Sequence, residues 1–259
     1  MEIGLSYRHI ELGLDGAVAT LILNRPPLNI MNIEMMEEMN SALLDLKEHP
    51  ELKVLLIRGR GDAFSAGVDI NEHTRDKVVR ALHQFHRIFE TIRLLDVIAV
   101  GAVEGIAFGG GFQLALGCNL IVASHSARFG LPEIEAGAFP PLACVVLPRA
   151  GPRRKAMEWI LTGEEIPVSD LERYGLVNRV FSDEEFEQGL RDFVEKLTSK
   201  SGPVLQLAKR AQIESYYAAY EEALYKAENL YLRQLTSLDD NEEGIRAFLE
   251  KREPSWSDS

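Results

Sequence analysis

Three segments of this sequence bring together residue types that can do chemistry. One is the loop AFSAGVDI at Ala63 to Ile70; a second is GIAFGGGFQ from Gly105 to Gln113; the third is FGLPEI at Phe129 to Ile134, with Glu133 twenty residues past Gln113. Glycines at a helix start matter because the first backbone N–H groups of a helix have no internal partner and sit at the positive end of its dipole. Without a β-carbon, the chain lets an anionic oxygen approach that backbone closely. The loop at Gly67 offers a second inward N–H, that of Val68. Two such donors converging on one oxygen make an oxyanion hole, each worth ~3–4 kcal/mol when removed by mutation. Glu133 adds a carboxyl that can move a proton, provided burial among Phe129, Leu131 and Ile134 raises its pKa. Singly, a GGG run more often packs a helix on a strand, and a lone Glu is more often a solvated charge. Their combination points to a site.

Positioning these groups takes an alternation of strands and helices. Val18 to Asn24 (VATLILN) alternates and is β-rich, as a half-buried strand should be, and Asn24-Arg25-Pro26-Pro27 then breaks into a loop. Residues 33–47 put Met35, Met36, Met39, Leu43 and Leu46 on one helical face. Lys53 to Ile57 reads as a buried strand, Gly59 to Gly67 as a Gly-rich loop, and 76–95 as a helix with Val79, Leu82, Phe85, His86 and Phe89 in register. Ile98 to Val103 is a further buried strand that runs into the loop and helix start at GIAFGGG. This order predicts an α/β, layered ββα architecture. Asp183 to Ser199 is an amphipathic helix with Phe186, Leu190, Phe193, Val194 and Leu197 as its apolar stripe. From Pro203 onward there is no strand signal, and 203–215, 217–236 and 240–251 read as three helices. The expected division is a core at 1–200 carrying the site and a helical region at 201–259. No fixed-period repeat or low-complexity segment interrupts it.

Composition narrows the partners. The chain has 259 residues, 40 acidic and 28 basic, for a formal net charge of −12. Such a surface repels nucleic acid, whose phosphates need clustered Lys and Arg. A polyanionic ligand would need local cations, for which Arg25, Arg153-Arg154-Lys155, Lys209-Arg210 and Lys251-Arg252 are candidates. The best apolar run, Val97 to Val103, falls far short of the ~20 residues of a membrane span. The N-terminus, MEIGLSYRHIELG, lacks a basic start followed by an apolar stretch, so no leader peptide is expected. Cys118 and Cys144 lie in apolar segments without metal-ligand spacing, which suits reduced thiols in a cytoplasmic protein. His83 and His86 are three apart but lack a third ligand; His73, soon after the loop, is the better pocket candidate. No metal, nucleic-acid or membrane partner is expected.

Several motifs in order resemble the crotonase (enoyl-CoA hydratase/isomerase) superfamily from about Leu5 to Pro254: Asn24-Arg25-Pro26 with Asn29, then FSAGVDI, AVEGIAFGGG, ARFGLPEIEAG, LTGEEI, YGLVNRV and AFLEKREP. The resemblance implies a crotonase (ClpP-like) spiral of ββα turns, with C-terminal helices that build a homotrimer or dimer of trimers. It implies an acyl-CoA thioester substrate, and no cofactor beyond the CoA which that substrate carries. The oxyanion hole falls on the N–H groups of Val68 and Gly110. CoA would lie between the 25–29 and 64–69 loops. Substrate and CoA contacts fall on Arg25, Leu28, Ser65, Ala66, Asp69, Ile70, His73, Phe108 and Pro141, with Phe248 and Lys251 approaching a neighbouring subunit's CoA.

Two positions depart from that family's usual pattern. Its hydratases typically work with two glutamates; the second falls on Glu133, but the first falls on Gln113, which can hold a water and cannot ionise. Where a Gly-rich turn is usual, this chain reads FPPLAC, and Pro141 has no N–H to offer. With the NEHT continuation after FSAGVDI, the helix bearing Leu82, His83, Phe85 and His86, and the GAFPP segment, the chain looks most like the cyclohexa-1,5-diene-1-carbonyl-CoA hydratases. A one-glutamate enoyl-CoA isomerase is the alternative, and a non-catalytic CoA-thioester-binding scaffold a second.

Overall fold

The computed structural model describes residues 7–216 and 218–259. The first residues of the expected N-terminus, including Leu5, and position 217 of an expected helix lie outside the described residues.

The chain opens with a hairpin, β1 (Ile10–Asp15) and β2 (Val18–Leu23), paired antiparallel. Helix α1 (Ile33–Asp45) follows, capped by the Asn32 side chain, which accepts from the Met35 N–H at 3.0 Å. Next come two similar turns of chain: β3 (Val54–Gly59), β4 (Ala63–Ser65) and α2 (Val78–Leu94), then β5 (Ile98–Val103), β6 (Ile106–Phe108) and α3 (Gly110–Gly117). A third begins with β7 (Leu120–Ser124) and β8 (Arg128–Gly130) and passes through α4 (Pro141–Ala150) and α5 (Arg153–Thr162). After β9 (Glu165–Pro167), α6 (Val168–Arg173) and β10 (Arg179–Phe181), the chain is helical: α7 (Phe186–Thr198), α8 (Gly202–Ser215), α9 (Tyr220–Arg233) and α10 (Asp239–Glu250).

Each turn places one long strand in a six-stranded sheet, ordered β1-β2-β3-β5-β7-β10, and one short strand in a four-stranded sheet, ordered β4-β6-β8-β9. The layered ββα reading is therefore what the chain adopts. Strand alternation divides the burial. In β3, Leu55 and Ile57 join the main core with α1 and α2, whereas Val54 and Leu56 face a second cluster with Val100, Val122, Phe186 and Leu190. The predicted stripe of α7 closes that second face.

Two loops predicted from their glycines contain short strands instead: β4 within Gly59 to Gly67, and β6 within GIAFGGG. Three-residue strands carry too little periodicity to show in sequence. Their pairing matters greatly, because β4, β6 and β8 run parallel. Their carboxyl ends therefore lie at one edge of the small sheet, where open α/β sheets bind ligands. The segments leaving that edge are Ala66-Gly67-Val68, Gly109-Gly110 and Leu131-Pro132-Glu133.

The helical end is tied to the body through polar side chains. Lys209 of α8 is buried, and its Nζ donates to the Ile92, Leu95 and Val97 carbonyls at 2.9, 2.8 and 2.8 Å. Asp240 of α10 accepts from the Ser257 and Asp258 N–H groups at 2.7 and 3.1 Å, and Lys53 pairs with Asp258 at 2.8 Å. No described helix is long and apolar enough to cross a membrane.

Candidate active site

The loop carrying Val68 is braced from below. Ser65 is fully buried; its hydroxyl donates to the Asn29 carbonyl at 2.8 Å and accepts the Gly67 N–H at 3.1 Å. Asn29, also buried, donates to the Arg60 and Ala63 carbonyls at 3.0 and 2.7 Å. Backbone bonds lace the 25–31 segment to this loop: Ala66 N–H to Leu28, Met31 N–H to Gly67 and Asp69 N–H to Met31, at 2.9, 2.8 and 2.8 Å. Ser65, expected among the substrate and CoA contacts, does not present its side chain to the cavity. It is enclosed by backbone and sets the loop's shape.

These flanking bonds leave the Val68 N–H out of the backbone pairing. Across the gap, the Gly109 N–H is fixed to the Gly130 carbonyl at 2.9 Å, which pins the start of α3 to β8. The Gly110 N–H, first in the helix, has no intrahelical acceptor by construction. The two loops touch: a Cβ placed on Gly110 would lie 3.1 Å from the Val68 nitrogen. Gly67, at φ +108°, is required here, since a Cβ would sit 2.9 Å from the Phe108 carbonyl oxygen and 3.1 Å from the Gly110 nitrogen. Gly109, at φ +51°, is equally constrained, because a side chain would meet Glu133 Oε1 at 3.1 Å.

Glu133 rides on a short helical turn, Pro132–Ala136, that leaves β8 and is closed by Gly137 in the left-handed region. Its Oε1 accepts from Gln113 Nε2 at 3.0 Å. Oε2 is buried and has no hydrogen-bond partner. Burial raises the carboxyl's pKa above its ordinary value, while its own backbone N–H and the Gln113 amide act against that rise. A buried, unpartnered carboxyl oxygen is costly unless something else uses it.

Gln113 turns out to be more constrained than the sequence suggested. Its Oε1 accepts from the Leu142 and Ala143 N–H groups at 3.1 and 3.4 Å. Helix α4 begins Pro140-Pro141 and has no capping side chain of its own. Gln113 therefore caps α4 from another helix, and with the same amide it holds Glu133. Its oxygen is occupied, and the water-holding role expected of it is left to its second amide hydrogen alone.

These groups line a cavity of about 530 Å³. Of the residues expected at the site, Ala66, Val68, Ile70, His73, Gly110, Gln113, Glu133 and Pro141 all border it. Arg25, Leu28, Asp69 and Phe108 do not. Arg25 donates to the Ile30 carbonyl at 2.8 Å and faces Asp69 at 3.5 Å, Leu28 is exposed beside it, and the Phe108 ring faces Arg128. Phe248 is 83% exposed, on a separate groove with Ile245 and Trp256, and Lys251 ends α10. Neither borders the cavity of its own chain. The wall that sequence reasoning did not assign comprises Val78, Ala81, Leu82 and Phe85 of α2, with Ala136, Ala138 and Phe139. The apolar stripe of α2 was visible, but nothing in it said that one end faces a cavity. Cys118 is an unpaired thiol whose burial pushes its pKa up to about 12, which removes it as a nucleophile.

The chain is similar to known proteins along nearly its whole length. Residues 13–259 match the enoyl-CoA hydratase/isomerase family. The chain is 33% identical over 248 residues to a cyclohexa-1,5-dienecarbonyl-CoA hydratase of Thauera aromatica, covering 95% of each chain. It is 31% identical over 249 residues to the mitochondrial enoyl-CoA hydratase domain-containing protein 3 of Danio rerio, covering 94% of this chain and 86% of that one. A solved enoyl-CoA hydratase subunit of Geobacillus kaustophilus superposes with a TM-score of 0.91 at 32% identity, covering 98% of this chain and 99% of that one. The expected crotonase fold is the one observed, and the chain belongs to the enoyl-CoA hydratase/isomerase family, as an enzyme of CoA thioesters.

Proposed function

We propose that the enzyme is a hydro-lyase adding water to a conjugated cyclic dienoyl thioester, cyclohexa-1,5-diene-1-carbonyl-CoA, to give 6-hydroxycyclohex-1-ene-1-carbonyl-CoA in anaerobic aromatic breakdown. The observation that carries this reading is the pairing of a single ionisable carboxyl, Glu133, with a non-ionisable Gln113, on the cavity that the Val68 and Gly110 amides border. The Thauera relative, whose printed name is that activity, supports the choice of substrate.

The chemistry follows from the geometry. As water attacks the conjugated ring, charge moves through the diene to the thioester oxygen, where the Val68 and Gly110 N–H groups receive it. Glu133 handles the proton, and burial raises its pKa, which favours the acid form relative to an exposed carboxyl. Gln113 distinguishes the two carboxyl oxygens: Oε1 accepts from its amide, and Oε2 is left without a partner. Apolar residues of α2 together with Phe139 and Pro141 would enclose an uncharged ring. Arg25, Leu28, Ala66, Asp69 and Ile70 lie along the path assigned to CoA, and Phe248 and Lys251 are assigned to a neighbour's CoA. The exposed apolar groove of Ile245, Phe248, Leu249 and Trp256 supports assembly into a trimer or dimer of trimers. Water addition is redox-neutral, so the reading calls for no cofactor beyond the substrate's CoA. A cytoplasmic location completes it.

The test is a panel of cyclic dienoyl-, cyclic monoenoyl- and crotonyl-CoA, assayed for water addition with the wild type and Glu133→Gln. The cyclic diene is expected to be the best substrate. Crotonyl-CoA as the best substrate would overturn the subfamily choice. A one-base isomerase is the second reading, favoured by Gln113 itself; solvent ¹⁸O separates the two, because an isomerase puts none into product.

A further inference from the structure

The turn that presents Val68 also fixes a second titratable side chain. His73 borders the same cavity as Val68, Gly110 and Glu133. Its Nδ1 lies 3.1 Å from the Asp69 carbonyl oxygen. A carbonyl only accepts, so Nδ1 bears the hydrogen, and in the neutral tautomer that this contact selects the lone pair is on Nε2. Asp69 is itself anchored. Its N–H goes to the Met31 carbonyl at 2.8 Å, and its carboxylate accepts from the Asn71 backbone and side-chain nitrogens at 3.1 and 2.9 Å. The backbone that aims the Val68 N–H thus aims the imidazole as well.

Adding water requires one proton taken from water and one given to carbon. Gln113 can do neither, because an amide does not ionise and its oxygen already accepts from α4. Resting on the hydratase reading above, we infer that His73 is the second proton-transfer residue and shares the reaction with Glu133. Nε2 takes a proton from water as the new C–O bond forms, and the π electrons shift toward the thioester oxygen. Protonated Glu133 then gives its proton to a ring carbon. The product has gained the elements of one water, and nothing is oxidised or reduced. The imidazolium and carboxylate left behind are reset by proton exchange with solvent, which the exposed His73 ring reaches. The two groups also sense each other, since a charge on His73 favours the ionised form of Glu133.

The experiment uses the full chain with His73→Ala and His73→Gln, assayed on cyclohexa-1,5-diene-1-carbonyl-CoA with and without added imidazole, beside thermal melts. A proton-transfer role predicts kcat lower by roughly 10²-fold in both variants, with KM within about threefold. Imidazole should then restore His73→Ala at least tenfold and leave His73→Gln, whose side chain fills the space, unchanged. Normal melts with unchanged kcat, or a raised KM alone, would overturn the assignment and leave the hydratase reading intact. Wild type that hydrates neither this thioester nor crotonyl-CoA would overturn both.

Discussion

Two ionisable side chains with buried polar atoms are treated in opposite ways. Lys209 has three ammonium hydrogens and meets three carbonyl oxygens, all within 2.9 Å. Glu133 has one oxygen held by Gln113 and another that is buried without a partner. The lysine closes the exposed carbonyl end of α2 and ties α8 to the strand that follows. It is saturated because its task is structural. The carboxyl is left unsatisfied at one atom, on a residue that borders the cavity, which suits the proton-transfer role proposed for it. The lysine's donors are all used, whereas the glutamate keeps one acceptor open.

The sharpest way to break this comparison is at the open atom. Glu133→Gln is expected to lower kcat at least ~10²-fold, measured as water addition to the dienoyl thioester. Its melting temperature at neutral pH should be no lower than wild type, because a strained acid has been replaced by a neutral isostere. Next in size is the saturated site. Lys209→Met should leave turnover intact and cost about 3–5 kcal/mol in urea unfolding, since three carbonyls lose their donor in a buried setting.

A third substitution touches both kinds of function. Gln113→Leu should cost about 1–2 kcal/mol through the lost cap on α4. It should also lower kcat roughly tenfold, as Glu133 loses the donor that orients it, a positioning effect smaller than losing the acid. KM changes are expected to stay small.

The smallest effects are in pH dependence, and they run in opposite directions. The raised pKa of Glu133 means that the folded state binds more protons than the unfolded chain as pH rises past the normal carboxyl value. Wild type should lose stability relative to Glu133→Gln across that acidic window. Burial lowers the pKa of Lys209 to about 8, so between there and its unfolded value the unfolded chain binds more protons. Wild type should therefore gain on Lys209→Met as pH rises through that alkaline window. Denaturant titrations at stepped pH would show both.

Much of this was legible before the fold was known. The long strands β2, β3 and β5 and the amphipathic α1, α2 and α7 carry enough periodicity to be placed within a few residues. The glycines at 67 and 109 to 111 flagged the backbone donors, and Glu133 stood out against its apolar neighbours. What stayed hidden is non-local. Strands of three residues, β4, β6, β8 and β9, exist only because sheet partners distant in sequence hold them, yet β4, β6 and β8 bring the three site loops to one edge. Helices α4 and α5 begin beside prolines and lack side-chain caps, so no start signal announced them. Ser65 was expected at the ligand through the family resemblance, and its hydroxyl's bond to Asn29, 36 residues back, shows a bracing contact that no local pattern announced. The link from Gln113 to the N–H groups of residues 142 and 143 likewise spans some thirty positions.

That last link has a consequence for how substrate shape is sensed. The helix beginning at Pro141 borders the cavity at its first residue, and its first turn is fastened to the same amide that holds Glu133. A guest that presses this wall outward pulls on the reactive carboxyl through a single side chain. Fit is thereby read twice, once as space and once as the aim of the catalyst. On the proposed reading, a thioester bulky enough to shift this wall would also disturb the aim of Glu133.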